Sequence, residues 1–324
     1  MVAASTSIHP WVAEGARRVR FGINTTAMPD WGATREFAQA AEALGFDALM
    51  IPDHPATTPS AAWTALAALA EATRTIRLGT LVSCVHYLNP VVLARMAADV
   101  DRISGGRVVL GMGSGDQAWE YQQMGLAFPP VRDRQAALEE GLQIIKPLLR
   151  GEQVSFEGAH FRVEGARIGP PAVQRPYVPL LIAGGGERTT LRFAARYADA
   201  SNLGAASWAG GAFTPADAAA KFDAIRRHCA QAGRPSEAIL RTALVGLFLS
   251  ESRATLDAKM ANVPPELLGF FERLPIVGTP EEAVPRVRAL VEAGFQYIFC
   301  IILSFDRETL QLTAERVIPA VVGG

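Results

Sequence analysis

Cysteine is scarce in this chain. Cys84, Cys229 and Cys300 are all that 324 residues contain, and no CxxC pair occurs. That excludes a disulfide framework and a redox pair, and the expectation is reduced thiols in a cytoplasmic protein. Charge of one sign is not in excess either. Lys and Arg number 31 against 32 Asp and Glu, a net charge of −1, so there is no electrostatic footprint for nucleic acid and no such partner is expected. Long apolar runs are missing. The longest, residues 297–303 (YIFCIIL), is far too short to span a membrane, and no membrane partner is expected. The N-terminal stretch MVAASTSIHPWVAEGARRVRF lacks the apolar core of a secretory signal. The five histidines are dispersed, with no HxxxH, so no metal site is expected.

Nucleotide motifs fail as well. A dinucleotide fingerprint needs Gly-x-Gly-x-x-Gly between strand and helix. Gly111 and Gly113 fit, but the third position is Asp116. No Gly-Lys-Ser or Gly-Lys-Thr is present, and Gly113-Ser114-Gly115 is one residue off a nucleophile elbow.

What is present is alternation. Short β-rich runs at 20–24, 48–52, 77–83, 108–111, 179–183, 200–203, 242–249 and 297–303 are separated by amphipathic stretches at 33–44, 63–73, 90–103, 132–149, 216–232 and 280–293. Several runs have no polar alternation, as expected of strands buried on both faces of a parallel sheet. Prolines at 90 and 280 and glycines at 45, 105 and 294 punctuate the helices at the expected ends. Eight strands alternating with helices predict a (β/α)₈ TIM barrel with insertions. One insertion, 153–163 around Glu157-Gly158, reads as a β-hairpin. Another, the Gly/Ala-rich run 203–214 after the sixth strand, reads as a mobile loop or lid. Residues 1–19 read as a ragged extension, and 20–324 as one barrel domain.

Barrel enzymes build their sites at the C-terminal strand ends. After strand two stand Asp53 and His54, which suit general acid-base work or a structural hydrogen bond. Successive strand residues face opposite ways, so both reach one site only if the chain bends, which Pro52 and Pro55 permit. After strand three, Ser83 can donate into the site, Cys84 reads as a small buried residue, and His86 suits either catalysis or packing. Gly111, Gly113 and Gly115 follow strand four, and serve either close approach of a flat ligand or a tight turn. Gly184, Gly185 and Gly186 follow strand five and open a predicted helix 188–196. Bare backbone donors with Arg188 in the first turn suit a phosphate, and a plain turn with a surface Arg is the alternative.

Taken in order, Asp53-His54, Leu78-Gly79-Thr80, Asn89-Pro90, the run GRVVLGMGSG at 106–115, Phe128-Pro129-Pro130, PLLIAGGG at 179–186 and GTPEE at 278–282 resemble the bacterial-luciferase-like flavin and deazaflavin oxidoreductases. The branch that uses coenzyme F420 is the most similar. The resemblance spans residues 21–319 and implies a (β/α)₈ barrel; a homodimer is expected. It implies that His54 moves a proton beside the reactive ring, with Asp53 as its neighbour. A non-proline cis peptide would fall at Leu81-Val82 and back the ring. Gly113, Ser114 and Gly115 would lie against the cofactor, followed by a catalytic acid, here Asp116. Ala183 and Gly184–Gly186 would hold the cofactor's side chain and phosphate. The family's sugar-phosphate dehydrogenases have Glu at the acidic position and a Trp shortly after the His. Here stand Asp116 and Thr57-Thr58, and the run 203–214 has no Lys for a substrate phosphate. The expected activity is hydride transfer between F420 and a small non-phosphorylated substrate. An FMN-dependent monooxygenase and a non-catalytic cofactor-binding protein are the alternatives.

Overall fold

The computed structural model describes residues 8–323 apart from 16, 27, 57, 205–210, 212–213, 264–275 and 305. The strands are β1 (Arg20–Asn24), β2 (Ala48–Ile51), β3 (Arg77–Thr80), β4 (Ser83–Cys84), β5 (Val108–Gly113), β6 (Val154–Glu157), β7 (Arg162–Ala166), β8 (Leu180–Ala183), β9 (Ala200–Gly204), β10 (Leu240–Leu249), β11 (Ile276–Gly278) and β12 (Tyr297–Ile301). Eight of them close on themselves in the order β1-β2-β3-β5-β8-β9-β10-β12, with β12 returning to β1 and every pairing parallel. This is the (β/α)₈ barrel, and each of the eight expected runs overlaps one of its strands.

The α-helices among the described residues are α1 (Pro10–Gly15), α2 (Trp31–Ala43), α3 (Ala62–Ala72), α4 (Pro90–Ser104), α5 (Ala118–Gln123), α6 (Val131–Leu149), α7 (Thr190–Tyr197), α8 (Pro215–Gln231), α9 (Arg253–Ala261), α10 (Pro280–Glu292), α11 (Arg307–Leu312) and α12 (Ile318–Val322). Their ends follow local chemistry. In α4 the Asn89 side chain accepts the Val91 N–H, Pro90 fills the first turn, and the helix stops at Gly105 with φ of 70°. One apolar layer packs these helices on the outside of the sheet. A second lies inside the barrel and includes Met50, Leu81, Val109, Leu181, Leu240, Tyr297 and Phe299. Outward and inward side chains alternate along each strand, which is why both faces had to be apolar.

The insertion at 153–163 is a hairpin, β6 against β7, with Glu157 opposite Arg162. Its turn lies one step later than the Glu157-Gly158 pair suggests. The Glu140 carboxylate of α6 accepts the N–H groups of Ala159, His160 and Phe161 at 2.9, 2.9 and 3.0 Å, and this draws the turn onto the helix. Most of the run 203–214, expected to be a mobile loop, lies outside the described residues.

The N-terminal stretch departs from expectation. Residues 10–15 form α1, with Trp11 and Val12 buried against the barrel's interior layer. Arg20, at the start of β1, donates to the Trp11 carbonyl at 2.9 Å, and its guanidinium lies 4.7 Å from the Tyr297 ring centroid. His9 Nε2 is 2.9 Å from the Tyr177 carbonyl oxygen. Within the stretch read as ragged, α1 therefore packs over the barrel's N-terminal end. Its composition resembles a tail because a single turn of helix carries too few residues to show a period.

Candidate active site

The C-terminal ends of the parallel strands gather the residues singled out by sequence. Val82, Ala183 and Leu244 are partly buried and pack onto the interior apolar layer. They present apolar side chains towards the C-terminal end of the barrel. The Leu81-Val82 peptide is cis, as the resemblance implied, and Asn24 Nδ2 donates to the Leu81 carbonyl at 3.2 Å.

The two glycines of β5, Gly111 and Gly113, and Gly115 just after it each have a physical cause. A Cβ on Gly111 would collide with the Thr80 carbonyl, and one on Gly113 would come within 2.7 Å of Val82 Cγ2. Gly115, with φ of 73°, would drive a Cβ into the Tyr121 hydroxyl and the Cys84 sulfur. Glycine recurs because the chain after β3, and Tyr121 of α5, press against this strand. Neither a ligand nor a tight turn is needed to explain the spacing. These glycines shape the site by admitting the cis segment, with Val82 at its surface.

Asp53 and His54 part company. Asp53 is 5% exposed and accepts from the Ser83 hydroxyl at 2.8 Å, while Ser83 accepts from Trp63 Nε1 at 3.1 Å. Ser83 therefore binds Asp53 and Trp63, where sequence suggested a donor into the site. Burial pushes the Asp53 carboxyl above its usual range, against the Ser83 hydrogen bond and the His54 charge, and Glu120 adds to the rise. His54 turns the other way. Its side chain is 39% exposed, and Nδ1 lies 2.9 Å from Glu120 Oε2. The turn that carries it is fixed by Thr58, whose N–H and hydroxyl both donate to the His54 carbonyl at 2.9 Å.

Asp116, expected as the acid, is exposed and accepts from the adjacent Gln117 side chain at 3.1 Å. The acid beside His54 is Glu120, one helical turn further on and fully buried. Its Oε2 also accepts the Tyr87 hydroxyl at 2.8 Å. Its Oε1 is buried with no hydrogen-bond partner among the described residues. Sequence order points to Asp116 because it directly follows the glycines. The stretch Asp116–Met124 is polar enough to pass for surface, and only its folded position distinguishes a buried Glu from an exposed one. A clue was available in Tyr121, a large side chain next to Glu120 that needed an interior place.

That place is an aromatic cluster. Tyr121 meets Tyr87 and Phe128 with centroids 5.2 and 5.0 Å away, and the Arg134 guanidinium lies 4.0 Å from the Phe128 centroid. Arg134 also donates to the Gly115 carbonyl at 3.0 Å. Cys84 Sγ is 3.1 Å from the Tyr121 hydroxyl, and burial pushes its thiol up to about 11, so it is an inert packing residue. His86 packs 5.9 Å from the Tyr121 centroid, and burial lowers its proton affinity.

The second glycine cluster is partly committed to the fold. The Gly184 N–H donates to the Asn202 carbonyl at 3.1 Å, so it is not bare. The Gly186 carbonyl accepts from Thr189 and Leu191, and α7 starts at Thr190. Arg188 thus lies in the turn ahead of the helix, exposed, and not in its first turn. The shift arises because residues 187–189 form the turn that aims the chain into α7. Ser114 is half-buried, with its carbonyl 3.4 Å from the Tyr121 hydroxyl. No group of three or more metal-ligating side chains occurs among the described residues.

A barrel with a cis peptide at the mouth, an apolar bed and a His–Glu pair defines a class of site. Residues 14–271 match the family model for luciferase-like monooxygenases, and the chain belongs to that family. It is 29% identical over 350 aligned positions to an F420-dependent glucose-6-phosphate dehydrogenase of Nakamurella multipartita, covering 94% of this chain and 98% of that protein. It is 27% identical to a 5,10-methylenetetrahydromethanopterin reductase of Archaeoglobus fulgidus, covering 86% of this chain and 79% of the relative. Among solved structures it is similar to an F420-dependent secondary alcohol dehydrogenase in complex with an F420-acetone adduct, with a TM-score of 0.77, 20% identity and coverage of 94% and 99%.

Proposed function

We propose that this protein is an F420-dependent oxidoreductase that moves a hydride between the deazaflavin and a small, non-phosphorylated organic substrate, with His54 taking or giving the proton. The observation that carries the reading is the position of His54. It stands half-exposed on a buried carboxylate at the barrel mouth, on the same rim as the apolar surface of Val82, Ala183 and Leu244. A flat ring fits such a surface. Val82, Ala183 and Leu244 would carry the ring, and Gly185, Gly186 and Arg188 its phosphate. When bound, the deazaflavin supplies the hydride acceptor or donor, while the protein contributes orientation and proton transfer.

The relatives' names support a deazaflavin over FMN. The family model's own description, a monooxygenase, favours the second reading, reduced FMN with oxygen on the same scaffold. The dehydrogenase relative acts on a sugar phosphate by name, but the run 203–214 of this chain has no Lys to grip one. A neutral alcohol, ketone, enone or imine suits it better.

Titration with F420 and with FMN separates the two readings. F420 is expected to bind more tightly, and equal or tighter binding of FMN moves the assignment to the monooxygenase. Single-turnover hydride transfer with a panel of such substrates should then slow about 10²–10⁴-fold in His54→Ala. An unchanged rate would make His54 structural.

A further inference from the structure

We infer that Glu120 is the positioning carboxylate of His54: it holds the ring in the form protonated on Nδ1 and leaves Nε2 as the atom that exchanges a proton with the substrate. The inference rests on the reading of His54 given above and adds the atom and the residue that fixes it. Glu120 Oε2 receives two groups, the Tyr87 hydroxyl at 2.8 Å and His54 Nδ1 at 2.9 Å. An ionised carboxylate only accepts hydrogen bonds. A bare Nδ1 would aim its lone pair at a carboxylate oxygen, so Nδ1 carries the hydrogen. The remaining lone pair of the neutral ring is then on Nε2. There it takes a proton from a substrate hydroxyl as that O–H bond breaks, and the ring becomes imidazolium facing the Glu120 charge. In the reverse direction Nε2–H returns the proton. No electrons move in this step, and Glu120 Oε2 stays the acceptor of Nδ1–H, as the Asp does in a Ser-His-Asp site.

The surroundings hold Glu120 where this work requires it. Its side chain is fully buried, and a buried carboxylate without a partner charge or donors is costly. Its neighbour Tyr121 is pinned by the Cys84 sulfur, the Ser114 carbonyl and the Phe128 ring. Gly115 lacks the Cβ that would displace that hydroxyl. The glycine after β5, the buried cysteine and the aromatic cluster thus fix one carboxylate in register with the turn after β2, and such packed support is what precise sites need.

The test reads the ring directly. Histidine-selective ¹⁵N labelling of the full chain, with the His54 signals assigned by their loss in His54→Ala, reports which nitrogen carries the hydrogen when the ring is neutral. Neither cofactor nor substrate is needed. In the wild type the Nδ1–H form is expected to dominate. Glu120→Gln, whose amide can meet Nδ1 with either its carbonyl or its NH₂, is expected to lose that dominance. Tyr87→Phe, which keeps the carboxylate, is expected to retain it. A wild-type ring protonated on Nε2, or identical signals in wild type and Glu120→Gln, overturns the proposal. Should Glu120→Gln fail to fold, the wild-type signal alone still decides. A failed F420 titration would leave this result untouched, and a failed tautomer assignment would leave the cofactor reading standing.

Discussion

At the scale of single residues, adjacency in sequence misled and burial decided. Asp53 and His54 are neighbours, yet Asp53 accepts from Ser83, itself held by Trp63, while His54 meets Glu120. Successive residues of extended chain point to opposite sides, so the pair separates even at the strand's end. Asp53 yields a prediction about pH. Burial raises its carboxyl above the ordinary value, so folding favours the protonated form. The resulting stability is present below the unfolded value of about 3.9 and is lost as pH rises through the raised folded value. Asp53→Asn keeps an acceptor for Ser83 and cannot ionise. Its Tm should therefore improve against wild type between about pH 4 and pH 7. Thermal melts at the two pH values check this, and a constant difference would mean that the Asp53 charge carries no net cost in the fold.

At the scale of elements, the glycine spacing of β5 was legible as unusual, but its cause was not. What fills the missing side chains comes from residues 80–84 and 121, which sequence distance conceals. Gly113→Ala should cost about 1–3 kcal/mol, the usual range for overpacking, because its Cβ meets Val82 Cγ2. Val82→Ala removes that atom. The double variant should recover much of the loss, so the two changes should be strongly non-additive in a denaturant-unfolding cycle. Simple additivity would show that the two side chains do not share this space. The hairpin teaches the same lesson in milder form. Alternation around 153–163 announced the strands, while Glu140, on another element, placed the turn.

At the scale of the whole molecule, closure of the barrel leaves two ends with different tasks. The C-terminal mouth collects His54, Glu120 and the apolar bed. The N-terminal end is packed over by α1, and its residues bear on stability, as is general for this fold. Trp11 is 1% exposed and packs among interior residues contributed by several strands. Trp11→Ala should destabilise the protein by about 3–5 kcal/mol, the range for truncating a large buried aromatic, without altering cofactor affinity at the far end. Equilibrium unfolding beside a cofactor titration measures both. A loss of less than about 1 kcal/mol would return the segment to the status of a dispensable tail.

The sequence by itself determined the barrel. Eight apolar runs separated by capped amphipathic helices are repeated, local signals, and burial on both faces of every strand leaves a mark at each position. It also placed His54 at the C-terminal rim of the barrel and, through resemblance, the cis peptide at Leu81-Val82. Only the tertiary structure decided which acid meets His54, what the glycines of β5 make room for, and that α1 belongs to the core. The physical reason is the same in each case. Glu120, Val82, Tyr121 and Trp11 take their meaning from single contacts between elements distant in the chain, and a single contact imposes no period that a linear pattern could reveal.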